Sequence, residues 1–404
     1  MNTTILSTKK ESKRIKKIIP YGRQKIFKDD LLEIKKALNS EYITSGRYVE
    51  KFEASFCNYT KAKYSVSCSS GTAAIHLALE AINLKENDNI IIPSINFIAA
   101  ANMAKKLGAK IFLADVDPIS GQMTPNNLLD CIKINKIKKL KAFFSMYNGG
   151  NPNYVKDFYK IKKKYNSFFI EDACHALGAK YSIKENLKVG DCKYADISTF
   201  SFHPLKSITT GEGGMVSTSR KDVYEKCKIL RNHGIIRKQS TKKKYNWFYK
   251  VKFHGMNYRL SDINCALGFS QIKKIDTIIF KREKIAKLYN KLFSNNLDKI
   301  KIQKTLPNQR SAWHLYIILI NFKKLKINRS NLIKKLYQRN IITQVHYIPT
   351  FRQTIFSKLK KKMHKNTINY YMNCLSLPIY YDLKAKEQKY IANTINYLVK
   401  KYSK

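Results

Sequence analysis

Three short stretches of this 404-residue chain carry residue types that do chemistry. One runs Ser201-Phe202-His203-Pro204-Leu205-Lys206-Ser207 and continues through Ile208-Thr209-Thr210 to Gly211-Glu212-Gly213-Gly214. Lys206 stands alone there among apolar and hydroxyl-bearing residues, whereas the other lysines lie largely in polar settings. Burial lowers the pKa of an amine and leaves it usable as a nucleophile. A second stretch, Glu171-Asp172-Ala173-Cys174-His175-Ala176-Leu177-Gly178, follows the apolar Phe168-Phe169-Ile170. A carboxylate at the carboxyl end of a strand can hold a cationic ring nitrogen, and His175 can hydrogen-bond a second atom of the same ligand. The third, Ser69-Ser70-Gly71-Thr72, puts small residues ahead of a helical pattern, where free backbone N–H groups suit a phosphate. Each stretch also has an ordinary reading: a helix cap, a capping aspartate beside a core histidine, one lysine among 65. Together they supply what pyridoxal phosphate requires: a phosphate cradle, a carboxylate that keeps the ring nitrogen protonated, and a lysine for the Schiff base.

Such groups must be positioned, and the periodicity of the chain shows by what. Residues 29–39 space Leu31, Leu32, Ile34, Ala37 and Leu38 as a helix. Residues 62–67 alternate into a strand that delivers Ser69, and 73–82 are helical. Strands are predicted over 89–92, 110–115, 141–146, 168–171, 197–202 and 214–217, with helices over 97–107 and 154–164. This alternation implies an α/β domain with a mostly parallel sheet, and open sheets of that class bind ligands beyond the carboxyl ends of their strands. Helical periodicity dominates residues 261–293. A strand (314–320), a helix (331–339), another strand (341–347) and a last helix (385–401) then read as a smaller α+β unit. The predicted organisation is a polar, basic arm over 1–18, a large α/β domain over 19–270 and a small C-terminal α+β domain over 271–404.

Composition bounds the rest. The chain has 44% hydrophobic residues, so it can bury a large core and is not disordered as a whole. No apolar run reaches the roughly 18–20 residues of a membrane span, and the basic N-terminus lacks the apolar core of a signal peptide. Eight cysteines form no Cys-x-x-Cys pair and no zinc spacing with histidine, which suits a reduced, cytoplasmic enzyme without a metal. The net charge of +49 raises nucleic acid as a partner. Yet only 12 of the 77 basic residues are arginine, the residue suited to bidentate recognition. The lysines are spread along the chain, in short runs such as 138–139, 242–244 and 360–362. A solvated basic surface accounts for this better than a polyanion-binding protein does, and that remote alternative rests on charge alone.

The stretch 201–206 resembles the DegT/DnrJ/StrS sugar aminotransferases, fold-type I pyridoxal-phosphate enzymes that aminate nucleotide-linked ketosugars. The likeness covers the chain from residue 19 to its end. Ile19-Pro20-Tyr21-Gly22-Arg23-Gln24, Ser201 to Lys206 and Gln344-Val345-His346-Tyr347-Ile348-Pro349 look most like the branch that serves pseudaminic acid synthesis. The resemblance implies transfer of an amino group from L-glutamate, released as 2-oxoglutarate, to C4 of a UDP-linked 4-keto-6-deoxy-N-acetylhexosamine. Another nucleotide-sugar 4-aminotransferase, of the 4-ketopentose or perosamine type, is the alternative.

It further implies that Lys206 carries the Schiff base and shuttles the proton, that Asp172 pairs with the pyridinium nitrogen, and that His175 lies near the ring hydroxyl. Gly71, Thr72 and Ser201 would hold the phosphate, and Phe97 would stack on the ring. Asn257 would reach the phosphate of a second subunit, which makes the expected protein a homodimer with shared sites. Thr44, Gly46, His346 and Tyr347 match substrate-contacting segments. Some relatives carry histidine in place of the lysine and are dehydrases, so Lys206 favours transamination. The loop Tyr147-Asn148-Gly149-Gly150-Asn151-Pro152, the arm and the high charge depart from the family's pattern.

Overall fold

The structure, a computed structural model, describes residues 17–236, 247–296, 298–359 and 364–404. The expected arm lies outside the described residues except for Lys17 and Ile18, as do the lysine runs at 242–244 and 360–362.

Short apolar strands and amphipathic helices alternate through the first half of the chain. The strands are β1 (Tyr64–Cys68), β2 (Asn89–Pro93), β3 (Lys110–Ala114), β4 (Ala142–Met146) and β5 (Phe168–Asp172). A small hairpin of β6 (Lys180–Ser182) and β7 (Leu187–Lys188) precedes β8 (Ile197–Ser201) and β9 (Gly214–Thr218). Seven of these build one sheet in the order β1-β9-β8-β5-β4-β2-β3. Only β9 runs against its neighbours, antiparallel to β1 and β8.

Side chains alternate across this sheet, so each apolar strand feeds two cores. Ile91, Phe143, Phe169 and Phe200 face one side. They meet α2 (Arg47–Thr60), α5 (Pro125–Ile134), α6 (Val155–Tyr165) and α8 (Asp262–Ile272). Ile90, Ile92, Phe144 and Ile170 face the other and meet α3 (Gly71–Ala81), α4 (Ala99–Lys106) and α7 (Lys221–Leu230). Helix α1 (Lys28–Leu38) lies outside, packed on α8. A two-stranded ribbon joins β10 (Ile235–Ile236) to β11 (Lys250–Val251).

Helix α9 (Ile275–Phe293) connects the halves. Its first turns bury Ile275, Ile278 and Ile279 in the large core. Its last turns bury Ile285, Ala286, Tyr289 and Phe293 in a third core. That core is built on an antiparallel sheet of β12 (Ile300–Ile302), β13 (Tyr316–Ile320) and β14 (Cys374–Leu377). Helices α10 (Arg329–Tyr337) and α12 (Ala385–Lys401) complete it, and α11 (Lys365–Asn373) packs on β13. Between the two parts of α9 sits Arg282, a buried guanidinium that donates to the carbonyls of Trp313, His314 and Ile379 at 3.1–3.3 Å.

The start of the chain joins this C-terminal unit. Ile19 is buried in its core and pairs with Ile341, and the Ile379 N–H donates to the Tyr21 carbonyl at 3.1 Å.

The strand expected over 341–347 does not form. Ile341 makes one bridge to Ile19 and Gln344 one to Ser376. The β-branched Ile341, Ile342, Thr343 and Val345 suggest a strand, but the segment leaves the sheet after Gln344 to wall a cavity. Helices α2, α5, α7 and α11 fall in stretches for which no element is predicted from the sequence. For α2 the signal was present: Tyr48, Phe52, Phe56 and Thr60, four residues apart, form one buried stripe.

Candidate active site

The carboxyl ends of the parallel strands open into a cavity of ≈ 560 Å³ that the C-terminal unit covers. Three of its walls are the three stretches that drew attention in the sequence. After β1 the chain turns at Ser70, whose hydroxyl accepts from the Ala73 N–H and caps α3. Gly71 and Thr72 open that helix, and the N–H groups of a first helical turn have no partner within the helix. Gly71 is packed so closely that a Cβ would lie 2.8 Å from the Ser201 Cβ and 3.4 Å from the Cys174 sulfur. The helix end is thereby held against the chain leaving β8 and the chain leaving β5.

Asp172 closes β5. It is buried, and its carboxylate accepts from the Cys174 N–H at 3.3 Å. Burial raises its pKa, opposed by the Cys174 hydrogen bonds and by the positive charge of Lys206. Behind it Glu171 faces the opposite side, where it accepts from the Tyr147, Tyr181 and Ser198 hydroxyls at 2.5–2.6 Å. Burial pushes the Glu171 carboxyl up to about 7 against those three donors. That cluster fixes β5 to β8 and to the loop after β4.

Lys206 sits on a turn after β8, its N–H donating to the His203 carbonyl. The loop is stitched by Thr210 N–H to Phe202 carbonyl and Phe202 N–H to Gly213 carbonyl. The residue as a whole is half-buried but its amine points inward, where desolvation lowers its pKa while Cys174 and Asp172 raise it. Lys206 and Asp172 thus share one chamber at the ends of adjacent strands, β8 and β5.

The C-terminal unit supplies aromatic and imidazole groups. Tyr347 hydrogen-bonds the Nε2 of His175 at 2.9 Å, and its ring lies 5.9 Å from that of Phe97. His346 pairs through Nδ1 with the Ser376 hydroxyl at 2.8 Å. His314 stacks on His175 with ring centroids 4.1 Å apart. Burial and the Lys206 charge hold all three imidazoles neutral: His175 and His314 fall well below their usual range and His346 to about 3.

The cavity therefore gathers Gly71, Thr72, Phe97, Asp172, His175, Ser201, Lys206, His346 and Tyr347. It does not gather Thr44, Gly46 or Asn257. Thr44 bridges Ser261, and the Gly46 N–H donates to the buried Asp262 carboxylate at 2.7 Å. Asn257 is exposed and bridges Asn232, which also accepts from Arg259. Gly46, Asn232 and Arg259 line a separate groove. Sequence reading missed His314 and Asn96, both on the cavity wall. His314 carried no local signal, since only the packing of β13 against the large unit brings it there. Asn96 adjoins Phe97 in the sequence, so that neighbour could have pointed to it.

The donor set fits pyridoxal phosphate. A helix N-terminus takes a phosphate, a buried carboxylate suits a ring that keeps its nitrogen protonated, and a desolvated lysine suits a carbonyl carbon. Among the described residues no group of histidine, cysteine and carboxylate side chains could hold a metal ion, and no helix is long and apolar enough to cross a membrane.

The sequence profile of the DegT/DnrJ/EryC1/StrS aminotransferases matches residues 24–396. The UDP-4-amino-4,6-dideoxy-N-acetyl-beta-L-altrosamine transaminase of Campylobacter jejuni is 36% identical over 390 residues, 96% of this chain and 99% of that protein. The GDP-perosamine synthase of Escherichia coli is 30% identical over 94% of this chain and 98% of its own. Among solved structures, Helicobacter pylori PseC, an aminotransferase involved in the biosynthesis of pseudoaminic acid, superposes with a TM-score of 0.86 at 30% identity. That match covers 96% of this chain and 100% of that one.

Proposed function

Because the chain belongs to the DegT/DnrJ/EryC1/StrS aminotransferase family, we propose that it is a pyridoxal-phosphate enzyme acting on a nucleotide sugar. It moves the amino group of L-glutamate to C4 of a UDP-linked 4-keto-6-deoxy-N-acetylhexosamine in surface-glycan synthesis. The observation that carries the chemistry is Lys206 and Asp172 in one chamber beside the N-terminus of α3. The choice of sugar is supported by the 36% identity to a transaminase named for such a product.

When bound, pyridoxal phosphate supplies the carbonyl that takes up the amino group and a ring that withdraws charge from the carbon losing its proton. The chain supplies the rest. Gly71, Thr72 and Ser201 would hold the phosphate at the helix end. Asp172 would face the ring nitrogen and favour its protonated form. Phe97 would offer its ring as a stacking face. Tyr347 fixes the Nε2 of neutral His175, which leaves Nδ1 to serve the ring hydroxyl. The Nζ of Lys206, as a desolvated amine, would take the α-proton of glutamate and hold it for return to the neighbouring carbon. The keto sugar then accepts the amine by the reverse transfers, which balances glutamate and keto sugar against 2-oxoglutarate and amino sugar.

Two copies complete the site in this reading. Thr44, Gly46 and Asn257 lie on a face outside the cavity of their own chain. Nearby segments expose Leu31, Leu32, Tyr42, Ile43, Trp247 and Met256. A second copy covering this apolar surface would bring Asn257 to its partner's phosphate. Eight unpaired cysteine thiols suit the cytoplasm.

Borohydride reduction of the holoenzyme followed by peptide mapping tests the cofactor: the expected result is a phosphopyridoxyl group on Lys206. A label scattered over surface lysines, or none, overturns the reading. Mixing Lys206→Ala with Asn257→Ala protein tests the dimer. Activity is expected to recover in the mixture above either variant alone, and no recovery under conditions of proven subunit exchange would refute shared sites.

A further inference from the structure

Asn96 is 3% exposed and lines the cavity, yet neither its side-chain Oδ1 nor its Nδ2 has a hydrogen-bond partner. It lies just beyond the end of β2, two strands along the sheet from Asp172 and next to Phe97. Several other polar side chains of the wall are paired within the chain, Ser70 with Ala73, Asp172 with Cys174, His346 with Ser376 and Tyr347 with His175. His175 and His314 each keep one unpaired ring nitrogen there, but Asn96 alone among the wall's amides leaves both its donor and its acceptor unpaired. A buried donor or acceptor left unpaired costs about 1–3 kcal/mol, and a primary amide with both edges unpaired doubles that cost. Native structures pair such groups with something.

The two unpaired atoms restrict what that something is. A carboxylate or a phosphate would satisfy Nδ2 and leave Oδ1 stranded. A group offering one donor and one acceptor side by side satisfies both, and a secondary amide does so with two parallel hydrogen bonds. Two such strands span about 10 Å of sheet, so Asn96 stands apart from Asp172 on the cavity wall, clear of the group that would face the ring nitrogen.

We infer that Asn96 is a specificity-determining residue that reads the acetamido group of the acceptor sugar. This rests on the nucleotide-sugar reading above and sharpens it, because it states which substituent of the sugar the enzyme selects. A site that hydrogen-bonds a polar substituent rejects the analogue lacking it more strongly than an apolar pocket would.

The test compares two probes that differ in that substituent, UDP-N-acetylglucosamine and UDP-glucose, titrated calorimetrically into the pyridoxamine-phosphate form of the enzyme. The wild type is expected to bind the acetamido sugar more tightly. Asn96→Ala is expected to weaken UDP-N-acetylglucosamine by about 10- to 100-fold, as two net hydrogen bonds imply, and to leave UDP-glucose within a few-fold. Asn96→Asp, which keeps the shape and loses the donor, is expected to show the same selective loss. Unchanged cofactor absorbance and unchanged conversion of that absorbance by L-glutamate show that each variant is folded. Equal weakening of both probes, or of neither, overturns the assignment of Asn96 and leaves the aminotransferase reading standing. Failure of the wild type to bind either UDP sugar overturns both.

Discussion

At the scale of the residue, the site works by withholding water from charges that need it. Lys206 is displaced toward the free amine by burial, and burial likewise raises the Asp172 carboxyl, opposed by its Cys174 hydrogen bonds and, to a lesser extent, by the Lys206 charge. Replacing Lys206 with arginine keeps a cation but removes the titratable amine. Such a variant is expected to bind cofactor and lose at least the 10²–10⁴-fold that a positioned acid–base group typically contributes, measured as the rate at which glutamate converts the bound cofactor.

The neutral histidines have a second consequence. His346 titrates at about 3 when folded and near 6.5 when unfolded. Above 6.5 it has no effect on stability. Below 6.5 the unfolded chain takes up a proton that the folded one refuses, so stability falls by up to about 1.36 kcal/mol per pH unit for this one group. His346→Asn is therefore expected to show a shallower decline in Tm between pH 7 and 5 than the wild type. An unchanged slope would mean that His346 is not buried neutral.

That Lys206, Asp172 and Gly71 come together was legible early because each stands in a distinctive local pattern at the end of a predicted strand. His314 was not legible, because its place depends on where β13 packs.

At the scale of the element, the proposed phosphate binding turns on the N-terminus of α3. Ser201 and Cys174 crowd Gly71, so Gly71→Ala must push the helix end away from β8. Overpacking of this kind costs about 1–3 kcal/mol, and most of it is expected to appear as weaker pyridoxal phosphate binding, by about 10-fold or more, in a fluorescence titration. The strands and helices that frame this corner were readable from periodicity, since the sheet is buried on both faces and its strands are short apolar runs. Residues 341–347 were misread for a physical reason. β-branched residues favour extended backbone, but whether extended backbone pairs is decided by neighbours distant in sequence. Here only Ile19 and Ser376 pair with it. Helices α5 and α7 were legible too: α5 buries Leu128, Cys131 and Ile132 behind a Thr124 cap, and α7 buries Val223, Cys227 and Leu230, each at helical spacing.

At the scale of the whole molecule, the charge of +49 acts on everything at once. Such self-repulsion works against the compact state and is relieved by salt, while attraction to an anionic substrate is weakened by it. Raising ionic strength from low to physiological is expected to raise Tm and to lower kcat/KM for the UDP sugar. A kcat/KM indifferent to salt would show that the basic surface does not draw the substrate in. The composition made the charge plain, but its distribution over a folded surface, and the face that a second copy would cover, belong to the tertiary structure.

The pairing of Ile19 with Ile341, and of Tyr21 with Ile379, also bears on how the protein is made. These contacts span more than three hundred residues, so the segment that leaves the ribosome early must wait for nearly the whole chain before it finds its place. Tyr21 also lines the cavity. The large sheet can assemble during translation, as domains generally do, but the catalytic chamber closes only when synthesis is almost finished. A nascent or C-terminally shortened chain therefore carries Lys206 without the enclosure that gives it its reactivity.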